Sequence, residues 1–292
     1  MFAAVLGVFL LAIAATIYLV FKEEPFTPWV LLPLLFSLAC VYIFKAQLNK
    51  WWYRKFPPRM DPELVKVLNQ YFPYFKRLNT KEKVRFEGRI ERLKADKQYV
   101  TKELEIFPED IKMLILANAA QVTFGREDFL LEHWDVFVLY RQAFHTPQIQ
   151  EFHTGELHYE DGVVILAADP MIEGMLQPQR GYNMAIHQLA KAWQYEQKIK
   201  NEDFVHDEGS NSGNGENYLH KLAEVRGRSD AFEDQYGLFS EEDYFGVSVE
   251  HFFLMPEQFK QVLPKTFQAL SEILNQDPRD KANPLIRKLE EV

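Results

Sequence analysis

The sequence predicts an α+β domain, mostly helical with a small sheet, preceded by an N-terminal two-helix transmembrane hairpin. Three observations carry this. Only Lys22, Glu23 and Glu24 are charged among the first 44 of the 292 residues. Apolar residues then recur at helical spacing through most of the chain. One interval, 134–167, is instead rich in alternating β-forming residues.

Met1 to Phe21 and Pro25 to Phe44 carry no charge, and each matches the ~20 residues that cross a ~30 Å hydrocarbon layer as a helix. Spans are expected at about 2–21 and 27–44 within a hairpin of residues 1–46, with Lys22, Glu23, Glu24, Pro25 and Pro28 making the turn. Pro33 kinks the second span, which a membrane helix tolerates when neighbours satisfy the freed carbonyl. No Lys or Arg precedes the first apolar run, which also exceeds the ~7–15 residues of a cleavable signal. Lys45, Lys50, Trp51, Trp52, Tyr53, Arg54, Lys55 and Arg59 follow with no acid before Asp61. Residues 47–60 thus read as a basic, aromatic interfacial collar. The positive-inside rule then predicts a multi-pass protein of the cytoplasmic (inner) membrane, its C-terminal domain of residues 61–292 facing the cytoplasm.

In that domain Leu64, Val67, Leu68, Tyr71 and Phe72 mark a helix over Asp61 to Tyr74, and Asn79 with Glu82 forms a capping box opening a helix to about Lys94. Pro108, Glu109 and Asp110 start an apolar helix through Phe124. Trp134 to Tyr140, Phe152 to Tyr159 and Val163 to Ala167 read as strands, the last two joined by a turn at Glu160, Asp161 and Gly162. Helical spacing returns over Asn183 to Lys198. A polar loop, Asp207 to Asn217, and two helices, about Glu241 to Phe253 and Pro256 to Leu274, close the chain.

Composition excludes several functions. Residues 45–292 hold 32 basic and 40 acidic side chains, so the collar suits anionic membrane lipid and no nucleic-acid partner is expected. Cys40 is the single cysteine, which excludes a thiolate zinc ribbon. No phosphate-binding glycine loop and no G-x-S-x-G elbow occur.

The informative string is Gly181 to Lys191, GYNMAIHQLAK, with Tyr236 and the run Tyr244 to Phe253 downstream. It resembles the Mlc titration factor A family of zinc-dependent peptidases, peptidase family M90, whose corresponding helix reads N-x-x-I-H-E-x-A-H. Asn183, Ile186, His187 and Ala190 match, and the similarity extends over roughly residues 60–290. The resemblance implies a gluzincin-like metallopeptidase fold. It also implies a zinc ion gripped by two histidines one helical turn apart, a glutamate general base and a carboxylate ligand from a later helix.

This sequence departs from that pattern. Gln188 stands at the general-base position and Lys191 at the second-ligand position, and neither a neutral amide nor an ammonium can do that chemistry. Asp243 matches the third ligand, Glu250 a second family acid, and Tyr236 a tyrosine that assists the transition state. His187, a carboxylate and a tyrosine survive, short of the three protein ligands of a catalytic zinc site. Charge suggests that Lys191 pairs with Asp243 or Glu250 in the space left by the metal.

His206, Asp207, His220 and His251 are alternative ligands that could rebuild a metal site, but read more simply as surface residues. His153 and His158, an odd number of residues apart, are expected on opposite faces of a strand. The expectation is therefore a catalytically inactive peptidase homologue, without cofactor unless the site holds zinc, that binds a peptide or protein, by family analogy a transcriptional regulator. The alternatives are an active, aminopeptidase-like zinc metallopeptidase with non-standard ligands, and a purely structural membrane partner.

Overall fold

The computed structural model describes residues 59–103, 105–147, 149–177, 182–200, 241–280 and 284–286, with Tyr18, Phe36, Trp52 and Phe56. The chain divides into two compact units, Met1–Pro58 and Arg59–Val292. In the first, Phe56 N–H donates to Trp52 O at 2.7 Å and the two rings lie 4.5 Å apart. Apart from Tyr18 and Phe36, the two expected spans lie outside the described residues. Among the described residues no helix is long and apolar enough to cross a membrane.

The second unit opens with α1 (Pro62–Tyr71), whose N-cap Asp61 accepts from Glu63 N–H, and α2 (Pro73–Arg77). One helix is expected over Asp61 to Tyr74, but Pro73 has no N–H to continue it and the chain turns at Phe72. α3 (Thr80–Asp96) carries the expected capping box, Asn79 and Glu82 each accepting from the other's backbone N–H. Its apolar face, Phe86, Ile90 and Leu93, is buried. Phe86 packs among Phe72, Tyr74, Phe75 and Phe124, with ring centroids 5.5 to 6.0 Å apart. On the same helix Arg89 donates to the carbonyls of Thr123, the last residue of α4 (Glu109–Thr123), and of Arg126 beyond it, and lies 4.5 Å from the Phe129 ring. Burial, assisted by Arg85, pushes this guanidinium down to about 9, and the two carbonyls that accept from it partly compensate its desolvation.

The sheet contains β1 (Gln98–Thr101), β2 (Val136–Tyr140), β3 (Gly155–His158) and β4 (Val163–Ala167) in the order β1-β2-β4-β3. β1, β2 and β4 run parallel, while β3 is antiparallel to β4 and forms an edge. Gly162, at φ +63°, makes the turn between β3 and β4, a conformation that favours glycine. Strand alternation buries Phe137, Leu139, Val164, Leu166 and Leu157 on one face. α5 (Ala168–Leu176) follows β4 directly.

α6 (Met184–Lys200) packs against α7 (Glu241–Leu254), α4 and β3. α8 (Pro256–Val262) and α9 (Pro264–Leu274) follow, split at Leu263 because Pro264 lacks the N–H that one continuous helix would require. The result is a mostly helical domain with a small mixed sheet, as expected. β1 and α5 are additions to that expectation.

Candidate functional site

The site lies where α6, α7 and β3 meet. Asn183 starts α6: its side chain accepts from Ile186 N–H at 3.2 Å, satisfying one of the first-turn donors. Its Nδ2 donates to Asn118 Oδ1 at 3.1 Å, and Asn118 donates in turn to Leu114 O within α4. Asn183 backbone N–H donates to Glu250 Oε1 at 2.7 Å. One residue thus fixes the start of α6 to both α4 and α7.

One turn into α6, His187 is 5% exposed. Its Nδ1 lies 3.2 Å from Glu250 Oε2 and its Nε2 3.5 Å from Asp243 Oδ1, both on α7. Lys191, a further turn along the same face, places its Nζ on Asp243 Oδ1. This is the ion pair that the charge argument expects, with Asp243 as the acid. Burial lowers the His187 imidazole, but its hydrogen bonds to Asp243 and Glu250 outweigh that and hold it above the ordinary histidine value. Burial likewise raises the Asp243 carboxyl, while the His187 bond and the Lys191 ammonium prevail and hold it well below the usual carboxylate range. With His187 protonated, two positive groups face Asp243 and Glu250.

Gly246 permits the close approach of α7. A Cβ there would stand 2.8 Å from both Cε1 and Nδ1 of His187. Gln188 faces the edge strand, where a Cβ on Gly155 would stand 2.8 Å from its Cγ and from Met184 Sδ. Gln188 is buried, and among the described residues its Oε1 has no hydrogen-bond partner. A buried amide oxygen in that condition costs about 1–3 kcal/mol, which a donor from a ligand would relieve.

The remaining expected residues do not all converge here. Tyr236, His206, Asp207 and His220 lie outside the described residues. His251 is fully buried on α7, where its Nδ1 donates to Val247 O at 2.9 Å and its ring packs against Phe259. It is therefore not the surface residue expected. The expectation for His153 and His158 is corrected too. His153 precedes β3 in a separate bridge with Phe144, so strand alternation does not govern it, and both imidazoles meet Glu156, at 2.9 and 3.0 Å. Gly246 and Asn118 were not singled out from the sequence. The signal for Gly246 is a glycine in the interior of an otherwise strong apolar helix; Asn118 shows as an amide within the apolar run of α4.

A mostly helical α+β domain in which a histidine of one helix faces carboxyls of a later helix, beside the edge strand of a small sheet, is of the metallopeptidase type. A family model described as glucose-regulated metallopeptidase M90 matches residues 45–274, and the chain belongs to this family. Among curated proteins none matches.

The donors present do not fit the zinc ion that such a site implies. Asp243 can offer lone pairs and His187 Nε2 one only when the ring is neutral, while the next group on that face is an ammonium already bound to Asp243. Among the described residues no three His, Cys, Asp or Glu side chains group so as to hold a metal ion.

Proposed function

We propose that this M90 domain is a catalytically inactive peptidase homologue that binds a peptide or protein segment without cutting it. The observation that carries this reading is the Lys191 to Asp243 pair: an ammonium occupies the ligand face of α6, and its charge takes over part of the metal's role of neutralising the carboxyls. Gln188, an amide where a general base is needed, agrees with it, because an amide does not accept a proton near neutral pH.

The binding half of the reading rests on the edge strand β3 and the neighbouring Gln188 Oε1. An extended peptide added at that edge would satisfy strand groups with its backbone and supply an N–H donor for the amide oxygen. The family resemblance favours a regulatory protein, such as a transcriptional regulator, as the source of that peptide. The uncharged runs before residue 45 and the basic collar after it favour the inner membrane as the location, with the domain on the cytoplasmic side.

The test is equilibrium dialysis of the full chain against a tryptic digest of casein, followed by mass analysis. The expected result is retention of a subset of peptides, recovered intact, and loss of that retention in Gln188→Leu. Peptides cut by the wild-type chain but not by His187→Ala would establish the active zinc peptidase instead. Absence of any retained or cut peptide would overturn the binding reading.

A further inference from the structure

We propose that His153, Glu156 and His158 form a proton-held clamp that pins the short hairpin of residues 144–153 to the edge strand β3, and that this clamp loosens as the pH rises.

The hairpin closes where Phe144 and His153 exchange backbone hydrogen bonds, both 2.9 Å, with the two rings edge to face at 4.5 Å. The His153 ring then reaches two oxygens. Nδ1 lies 2.9 Å from Glu151 O and Nε2 lies 2.9 Å from Glu156 Oε2. A carbonyl oxygen only accepts, so Nδ1 carries a hydrogen. The contact of Nε2 with the carboxyl needs a second hydrogen, and a neutral imidazole has only one N–H. Both bonds coexist only when one extra proton is held between the ring and Glu156.

Glu156 Oε1 is engaged as well, by His158 Nε2 at 3.0 Å and by Thr146 Oγ1 at 3.2 Å, while Thr146 Oγ1 accepts from Ile149 N–H. The carboxyl therefore gathers the tip, the end and the strand side of the hairpin. Its side chain is 7% exposed, whereas those of His153 and His158 are 17% and 22% exposed, so solvent reaches the imidazoles that hold the buried acid. Each imidazole stands on a different carboxyl oxygen, which is a hydrogen-bonded arrangement and not a metal set.

Among the described residues the surrounding titratable groups are few. The hairpin contributes His145, edge-on to Phe152, and Glu151, through its carbonyl; at the hairpin's base Arg141 and Asp169 approach to 3.8 Å. β2 contributes Tyr140, stacked on Phe144. Tyr182, before α6, has its hydroxyl 3.0 Å from Thr154 Oγ1. β4 carries no titratable side chain, and α6 meets β3 at Gly155 through Met184 and Gln188. None of these supplies the missing hydrogen. Once that extra proton leaves, the neutral ring has one N–H and keeps its bond to Glu151 or to Glu156 but not both. Because β3 also carries Gly155 against Gln188, loosening the clamp moves the cleft wall. That consequence rests on the peptide-binding reading, whereas the test needs no peptide.

The test is amide hydrogen exchange of the full chain, read as protection factors for Phe144 and His153. Protection is expected to fall about tenfold between about pH 5.5 and about pH 8, and to be independent of pH in His153→Gln, whose amide makes a neutral bond to Glu156. The nitrogen NMR shifts of the His153 ring in the wild-type chain give a second measure that does not depend on the variant folding. At about pH 5.5 both ring nitrogens are expected to carry hydrogen. Protection that does not change with pH, the same fall in His153→Gln, or a singly protonated ring at the lower pH would each overturn the clamp.

Discussion

Lys191 and Asp243 set the electrostatics of the site at the scale of single residues. Their side chains are 13% and 21% exposed, so the pair is shielded enough for its loss to matter. Lys191→Met is expected to destabilise the domain by about 3 kcal/mol, read by urea unfolding, and Lys191→Met with Asp243→Leu to recover most of that loss. The pH dependence follows from the two shifted groups. Asp243 is depressed, so its contribution is complete above the ordinary carboxylate value and is lost as the pH falls through its folded value. His187 is raised, so its contribution is complete below the ordinary histidine value and is lost as the pH rises through its folded value. The excess stability of wild type over His187→Leu with Asp243→Leu is expected to peak between about pH 4 and about pH 6.5. An excess that is flat across that range would show that the cluster is not coupled to folding. Much of this was legible in the sequence, because an i, i+4 spacing fixes His187 and Lys191 on one face whatever the tertiary fold. The convergence of His153 and His158 on Glu156 was not, since it depends on a bridge to Phe144 that no local pattern encodes.

Helix packing determines whether those residues can meet at all. Gly246 lets the backbone of α7 approach the His187 ring, and Gly246→Ala would introduce a methyl at a distance that no carbon contact tolerates. The variant is expected to lose about 1–3 kcal/mol by overpacking and to shift the His187 ring resonances away from those of the Glu250-bonded form, as read by thermal unfolding and NMR. Unchanged stability and resonances would mean that α7 relaxes freely. Among the elements, the capping box of α3 and the strand β4 fall where local signals place them. β1 was missed because Gln98 to Thr101 is four residues long and follows a helix without a turn signal, so its identity comes from pairing with β2. α5 was missed for the opposite reason: it continues directly from β4 through Ala168, with no cap residue to announce it. The prolines at 73 and 264 divide helices that periodicity alone joins.

For the whole molecule, family membership over residues 45–274 and the altered chemistry of α6 have to be held together. The proposed binding role accounts for a fold retained while its metal face is rewritten, and fold alone does not decide between binding and turnover. If the framework around His187 is otherwise intact, Gln188→Glu with Lys191→His should hold more zinc than the wild-type chain, measurable by atomic emission on the purified protein. Failure of that variant to bind zinc would place the divergence more widely than two positions. The most direct test of the central claim is the metal content of the purified full chain, measured beside hydrolysis of short peptides. The account predicts substoichiometric zinc and no hydrolysis. Stoichiometric zinc, with hydrolysis abolished by His187→Ala, would contradict it.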